Sequence, residues 1–167
     1  MSRRSSVAPL DRLYACLPYL LPITAVVDFG RALFNQFPQL KDLFSPIFFL
    51  KDEILSIPIL PSIPLWFVVW LCIFFAVVRN YKVNHFIRFN GMQALLLGVV
   101  VQIVGAALMI LVNLFRFMEF LGFIFQIISS VTFLGIIAAS FYAIWQSVWG
   151  KYAEMPVISE VAYIQVR

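Results

Sequence analysis

Four stretches without Asp, Glu, Lys, Arg or His organise the chain. They cover 13–27, 54–78, 89–115 and 120–150. Their charged borders are Arg12 and Asp28, Glu53 and Arg79, Arg88 and Arg116, and Glu119 and Lys151. A helix rises about 1.5 Å per residue and needs about 20 apolar residues to cross a ~30 Å hydrocarbon core. The last three stretches meet that length. The first is shorter and contains Pro18 and Pro22. Extending it back to Leu10 places Asp11 and Arg12 at headgroup level, and membrane helices tolerate proline where neighbours re-satisfy the freed carbonyls. The pattern predicts an all-α polytopic membrane protein forming one membrane domain over 1–167. Its four transmembrane helices are expected at roughly 10–29, 60–79, 91–115 and 120–149, the first of them kinked. Val27-Asp28-Phe29-Gly30 offers no small-residue cleavage site, so the first stretch is expected to remain in the chain rather than act as a signal peptide.

The connection over 30–59 is not an ordinary polar loop. Leu40, Leu43, Phe44, Ile47 and Phe48 recur at helical spacing, with Lys41, Asp42, Lys51, Asp52 and Glu53 between or after them and with Pro38, Pro46 and Pro58 as punctuation. Two readings stay open: short amphipathic helices lying in the membrane interface, or a lid packed on the bundle.

Composition turns the membrane assignment into an exclusion. The chain of 167 residues is 63% hydrophobic and 12% charged, with a mean hydropathy of +0.96. Soluble domains carry about 25% charged residues and about 45–50% apolar ones. Charge also gives an orientation. With four spans, the N-terminal tail, the connection between the second and third spans and the C-terminal tail share a side that carries eight Lys and Arg. The other side carries four. The positive-inside rule then expects both termini in the cytoplasm or in the stroma of a plastid. Counting acids, the two faces are +5 and −1. Trp66 and Trp70 near the start of the second span, and Trp145 and Trp149 near the end of the fourth, sit at belt positions.

Candidate chemistry inside the spans is sparse. Proton relays and coupled pumps need ionisable groups at depth, and the last three stretches have none. His85 stands alone in the inner loop without a metal-ligand partner near it in sequence. Cys16 and Cys72 read as apolar fillers. No enzyme, metal, cofactor or nucleic-acid partner is expected. The spans do hold ordered small and amide residues: Gly91, Gly98 and Gly105 with Gln102 and Asn113 in the third, and Ser129, Thr132, Ala139, Ala143, Gln146 and Gly150 in the fourth. Such stripes suit close helix packing with interhelical hydrogen bonds; the other reading is a polar track for a passing substrate. Four helices pack into a filled bundle, so an opening wide enough for an extended polypeptide requires several copies of the chain or partner subunits. In the inner loop Arg79, Lys82 and Arg88 form a basic cluster without acids, with His85 among them. It suits anionic lipid headgroups, an acidic partner, or simple topology determination. Asn84 and Asn90 are placed to cap or turn the chain into the third span.

Particular stretches carry a resemblance. They are Tyr19-Leu20-Leu21-Pro22, Gln36-Phe37-Pro38-Gln39-Leu40, Val78-Arg79-Asn80-Tyr81, the run from Val83 through His85 and Arg88 to Asn90, Met92-Gln93-Ala94, and the tail from Gly150 through Tyr152 and Pro156 to Glu160. Along nearly its whole length the chain resembles the Tic-twenty family, membrane components of the protein-import translocon of the chloroplast inner envelope, with cyanobacterial and plastid-encoded relatives. The resemblance implies four spans with both termini inside, in a plastid inner envelope or a cyanobacterial plasma membrane. It implies a channel-forming or channel-lining subunit working with other subunits or further copies of itself on a preprotein substrate, and adds no catalytic residues. A non-channel scaffold or assembly factor is the alternative. No Arg- and Ser-rich transit peptide of the kind nuclear-encoded plastid members carry is expected ahead of the first span, so the resemblance implies a cyanobacterial or plastid-encoded relative.

Overall fold

The computed structural model describes residues 7–115 and 119–166. Arg3, Arg4, Arg116 and Arg167, counted above for orientation, lie outside the described residues. The chain opens with α1 (Pro9–Cys16), whose Pro9 takes the first helical position, where a missing N–H costs nothing. Pro18 then shapes a 3₁₀ turn over Leu17–Tyr19, and α2 (Leu20–Val26) follows. A second 3₁₀ turn over Val27–Gly30 leads into α3 (Arg31–Gln36). Together Pro9–Gln36 forms one interrupted helical path, with the expected proline disturbance at Pro18.

Short elements fill the next section: α4 (Pro38–Leu43), α5 (Ser45–Phe49) and a π-helical turn over Leu50–Leu55. Strands β1 (Pro58–Leu60) and β2 (Ile63–Pro64) pair antiparallel with an irregular register. Three X-Pro steps explain this break. Ile57, Leu60 and Ile63 each precede a proline, and a residue before proline is driven out of the α region into extended conformations. Helix resumes only at α6 (Leu65–Cys72), which continues as π-helix over Ile73–Val78. The second expected span, 60–79, is therefore helical over Leu65–Val78 alone. That is a run of about 20 Å.

The two long helices are α7 (His85–Leu114) and α8 (Glu119–Val148), each of 30 residues, or about 45 Å. Three helical stretches among the described residues are long and apolar enough to cross a membrane: Pro9–Gln36, His85–Leu114 and Phe120–Val148. Past α8 the chain forms α9 (Ile158–Val166), an element the hydrophobic pattern had not suggested.

The core lies where the first path, α7 and α8 meet. Tyr19, Val26, Val27 and Phe34 interlock with Ala94, Leu97 and Val101 of α7 and with Phe133, Ile136 and Ala143 of α8. Phe44, Ile47 and Phe48 of the connection pack onto this cluster, where Phe34 stacks edge-on against Phe48 and Phe133 at 5.5 and 5.3 Å. Leu40 and Leu43 face outward. A second cluster joins Val78, Phe89, Met92 and Leu95 to Ala162 and Val166 of α9. The α7 N-terminal half is thus enclosed, whereas Ile103, Met109, Ile110 and Leu114 in its other half are exposed.

Candidate functional site

Three segments far apart in sequence converge at one end of the bundle. Asn84 caps α7 by accepting from the Phe86 N–H at 3.0 Å, and its amide donates to Asp11 at 2.7 Å. The Arg12 guanidinium donates to the Val148 carbonyl at 3.3 Å. His85 Nδ1 lies 3.1 Å from the Tyr152 hydroxyl. Burial, and then neighbouring Tyr163, push the Tyr152 phenol above its ordinary range, so it stays protonated and available as a donor to His85.

The basic cluster changes character in three dimensions. Arg79, Lys82 and His85 are exposed. Arg88 is buried: its Nε donates to the Val78 carbonyl at 2.9 Å, and its guanidinium carbon lies 4.7 Å from the Tyr81 ring centre. Arg88 therefore braces the loop against α7. The absence of acids also fails, because folding brings Asp11 to Asn84.

Directly beneath this end lies a buried polar network. The Tyr19 hydroxyl shares its proton between Asn90 Oδ1 at 3.0 Å and Gln93 Oε1 at 2.9 Å. Ser147 of α8 donates to Asn90 Oδ1 at 2.8 Å, and Asn90 Nδ2 donates to the Phe86 carbonyl at 2.9 Å. Gln93 Nε2 donates to the Ala153 carbonyl and to Ser159 Oγ, both at 2.8 Å. Ser159 Oγ accepts from the Met155 N–H and donates to Ala153. One network thus ties the first path, α7, α8 and the tail together. Asn90 is not a cap, as its position near the span start had suggested; it is a buried junction. Sequence reasoning passed over Gln93. The available signal was a pair of amides three residues apart, which share a helix face, at the enclosed end of a span.

The glycine stripe of α7 has mixed surroundings. Gly91 packs against the π-helical segment Ile73–Val78, where an added Cβ would meet Val78 at 3.5 Å. Gly105 faces Phe29, 3.3 Å from such a Cβ, whereas Gly98 has nothing within 4 Å. Gly98, Gln102 and Gly105 line a groove of about 820 Å³ together with Thr24, Asp28, Lys51, Trp66 and Trp70. At its polar end Lys51 bridges Asp28 at 2.6 Å and Asp52 at 3.4 Å, and Arg31 meets Asp28 at 3.3 Å. Asn113 is exposed and its amide bonds the Met109 carbonyl of its own helix. In α8 the buried positions are Phe133, Ile136, Ser140, Ala143 and Ser147. Of the sequence stripe Ala143 is buried, as is Ile136, which fills its one missing place; Ser129, Thr132, Ala139, Gln146 and Gly150 are half-buried. Thr132 and Gln146 also bond within α8, to Ile128 and Tyr142.

Apolar helices of this length around a small buried polar junction define a helical membrane protein. The family model described as "Chloroplast import apparatus Tic20-like" matches residues 9–162. A Tic20 family protein of Synechocystis is 36% identical over all of this chain and 99% of its own length. The Tic20 family protein Ycf60 of Pyropia yezoensis is 30% identical, covering 93% of this chain and 75% of its own. Protein TIC 20-II, chloroplastic, of Arabidopsis thaliana is 33% identical over 62% of this chain and 49% of its own length. The chain belongs to the Tic20 family.

Proposed function

We propose that the chain is a membrane subunit of a protein translocon and contributes one wall of a polypeptide path, working with other subunits or further copies of itself. The observation that carries this reading is the groove beside Gly98, Gln102 and Gly105. It is walled by apolar side chains, carries an amide part-way along α7, and ends at the Asp28–Lys51 pair. An open groove in one copy becomes a closed path when a second copy or a partner covers it. The path needs no catalysis, since a moving chain only has to exchange weak contacts.

Four crossings, the second made by the short α6 segment with its flanking strands, fit the packing. Asp11 and Phe29 lie beside Asn84 and Gly105 of α7 in the same order, so the first path runs parallel to α7. Arg12 reaches the Val148 end of α8, so α8 runs antiparallel. Both termini then share a side with Arg79 and Lys82, which suits a cytoplasmic or stromal face and anionic lipid headgroups. The connection with outward Leu40 and Leu43 suits the opposite membrane interface.

A photoreactive amino acid at Gln102 tests the path. With an arrested preprotein it is expected to crosslink to the substrate, whereas the same group at Ile110, outside the groove, labels lipid. Labelling from Gln102 only to lipid, or only to a fixed subunit, overturns the path and leaves the scaffold role.

A further inference from the structure

The tail does not leave the bundle at the end of α8. Gly150, in the left-handed region at φ 67°, ends the helix, and the chain turns back so that Ala153 and Ser159 bond Gln93. Gln93 lies eight residues beyond His85, about 12 Å along α7. The 30 residues of α7 span about 45 Å, matching the ~40–45 Å of a bilayer with its headgroups, of which the hydrocarbon core takes ~30 Å. Gln93 then falls about 5 Å inside the hydrocarbon boundary, and α9 starts beside it.

The two faces of α9 have different surroundings. Ser159, Ala162 and Val166 are buried against the bundle. Val161 and Ile164, three residues apart on the opposite side, are 36% and 67% exposed, and Val157, just before the helix, is 69% exposed, with exposed Glu160 and Gln165 flanking the pair. Val157 adds a second observation. It has φ 66°, and the Ile158 N–H bonds the Pro156 carbonyl across it at 2.7 Å. A β-branched residue is strained in that γ-turn, where glycine is free of strain. The strained valine starts the exposed apolar stripe.

We propose that α9 is an interfacial helix, seated among the phospholipid acyl chains of the leaflet on the side of the two termini, with Val157, Val161 and Ile164 in lipid. The occupant follows from depth. Amphipathic helices bury their apolar face ~5–10 Å into the headgroup–acyl boundary, which is the level at which Gln93 holds the tail. The inference rests on α7 crossing the bilayer and not on any transport by the chain.

The full chain, with Cys16→Ala and Cys72→Ala and one new cysteine at Val161, Ile164, Lys151 or Ile110, is labelled with an environment-sensitive fluorophore. It is then reconstituted in phosphatidylcholine–phosphatidylglycerol vesicles. At 161 and 164, quenching by a nitroxide placed high on the acyl chain is expected. Iodide quenching there should be about fivefold weaker than at 151. Iodide quenching equal to that at 151 overturns the proposal, as does shielding from both quenchers, which would mean that protein covers the stripe. A label at 110 that no lipid nitroxide reaches removes the crossing of α7 and the proposal with it; the polypeptide path is read separately by crosslinking to substrate. The unaltered chain gives a second reading: a phospholipid with a photoreactive group near its headgroup should label 157–166. Labelling confined to the outer faces of α7 and α8 overturns the inference.

Discussion

Replacing Gln93 with leucine keeps the volume of the side chain and removes three hydrogen bonds, those to Tyr19, Ala153 and Ser159. Each partner keeps another. Tyr19 retains Asn90, Ser159 retains Met155, and the Ala153 carbonyl retains Ser159. No orphaned buried group is created, so the loss is the net worth of the bonds. That worth averages about 0.6 kcal/mol between membrane helices and about 1 kcal/mol in proteins at large. Two of the three bonds hold the tail, so its attachment loses about 1–2 kcal/mol. In lipid nanodiscs, amide hydrogen exchange of 157–166 should therefore accelerate by about 7- to 30-fold, one decade per 1.4 kcal/mol. The outer halves of α7 and α8 should stay protected. Tail exchange within twofold of the parent would refute the claim that Gln93 fastens α9. Equal acceleration throughout α7 and α8 would also refute it, because the network would then support the whole bundle rather than the tail.

The two glycine contexts predict opposite effects in thermal unfolding. A Cβ at Gly30 would lie 2.7 Å from Phe34 and 3.1 Å from Phe133, so Gly30→Ala should destabilise by about 1–3 kcal/mol through overpacking. Gly98→Ala meets nothing within 4 Å and should stabilise by up to about 1 kcal/mol through helix propensity. The buried Ser140 hydroxyl has no hydrogen-bond partner among the described residues. Ser140→Ala should therefore raise stability by about 1 kcal/mol, measured in the same melts. Arg88→Lys cannot reproduce both the Nε bond to Val78 and the guanidinium stacking on Tyr81. It should increase proteolysis of the 79–84 loop several-fold, while Arg79→Gln at an exposed site leaves cleavage unchanged.

How far each element was legible follows from the range of the forces that set it. The 3₁₀ turn at Pro18 and the cap at Asn84 are local, because a missing N–H and a short polar side chain act within a turn. The helix expected over 60–79 was longer than the one formed, since hydropathy counts Leu60 and Ile63 as membrane residues while Pro61 and Pro64 force them out of helix. The α8 stripe was centred about 50° from the packed face, sharing Ala143 with it. Small residues mark several possible faces, and the choice went to the one where Phe133 meets Phe34. Nothing in the tail showed that Ser159 would be an interior group, since its partner Gln93 is 66 positions away.

By itself the sequence determined the class of protein and where its long apolar helices lie, because transfer into a bilayer sums over about 20 consecutive residues and needs no knowledge of neighbours. Its motifs also pointed to the family. Tertiary structure alone decided which polar residues became interior. Asn90 and Gln93 form a junction, Arg88 becomes a brace, Asp11 joins a basic loop, and the tail folds back to the depth of Gln93. Those outcomes depend on pairing groups 10 to 74 positions apart. In a low-dielectric interior such groups must find partners, and only the packed chain shows which partner is within reach.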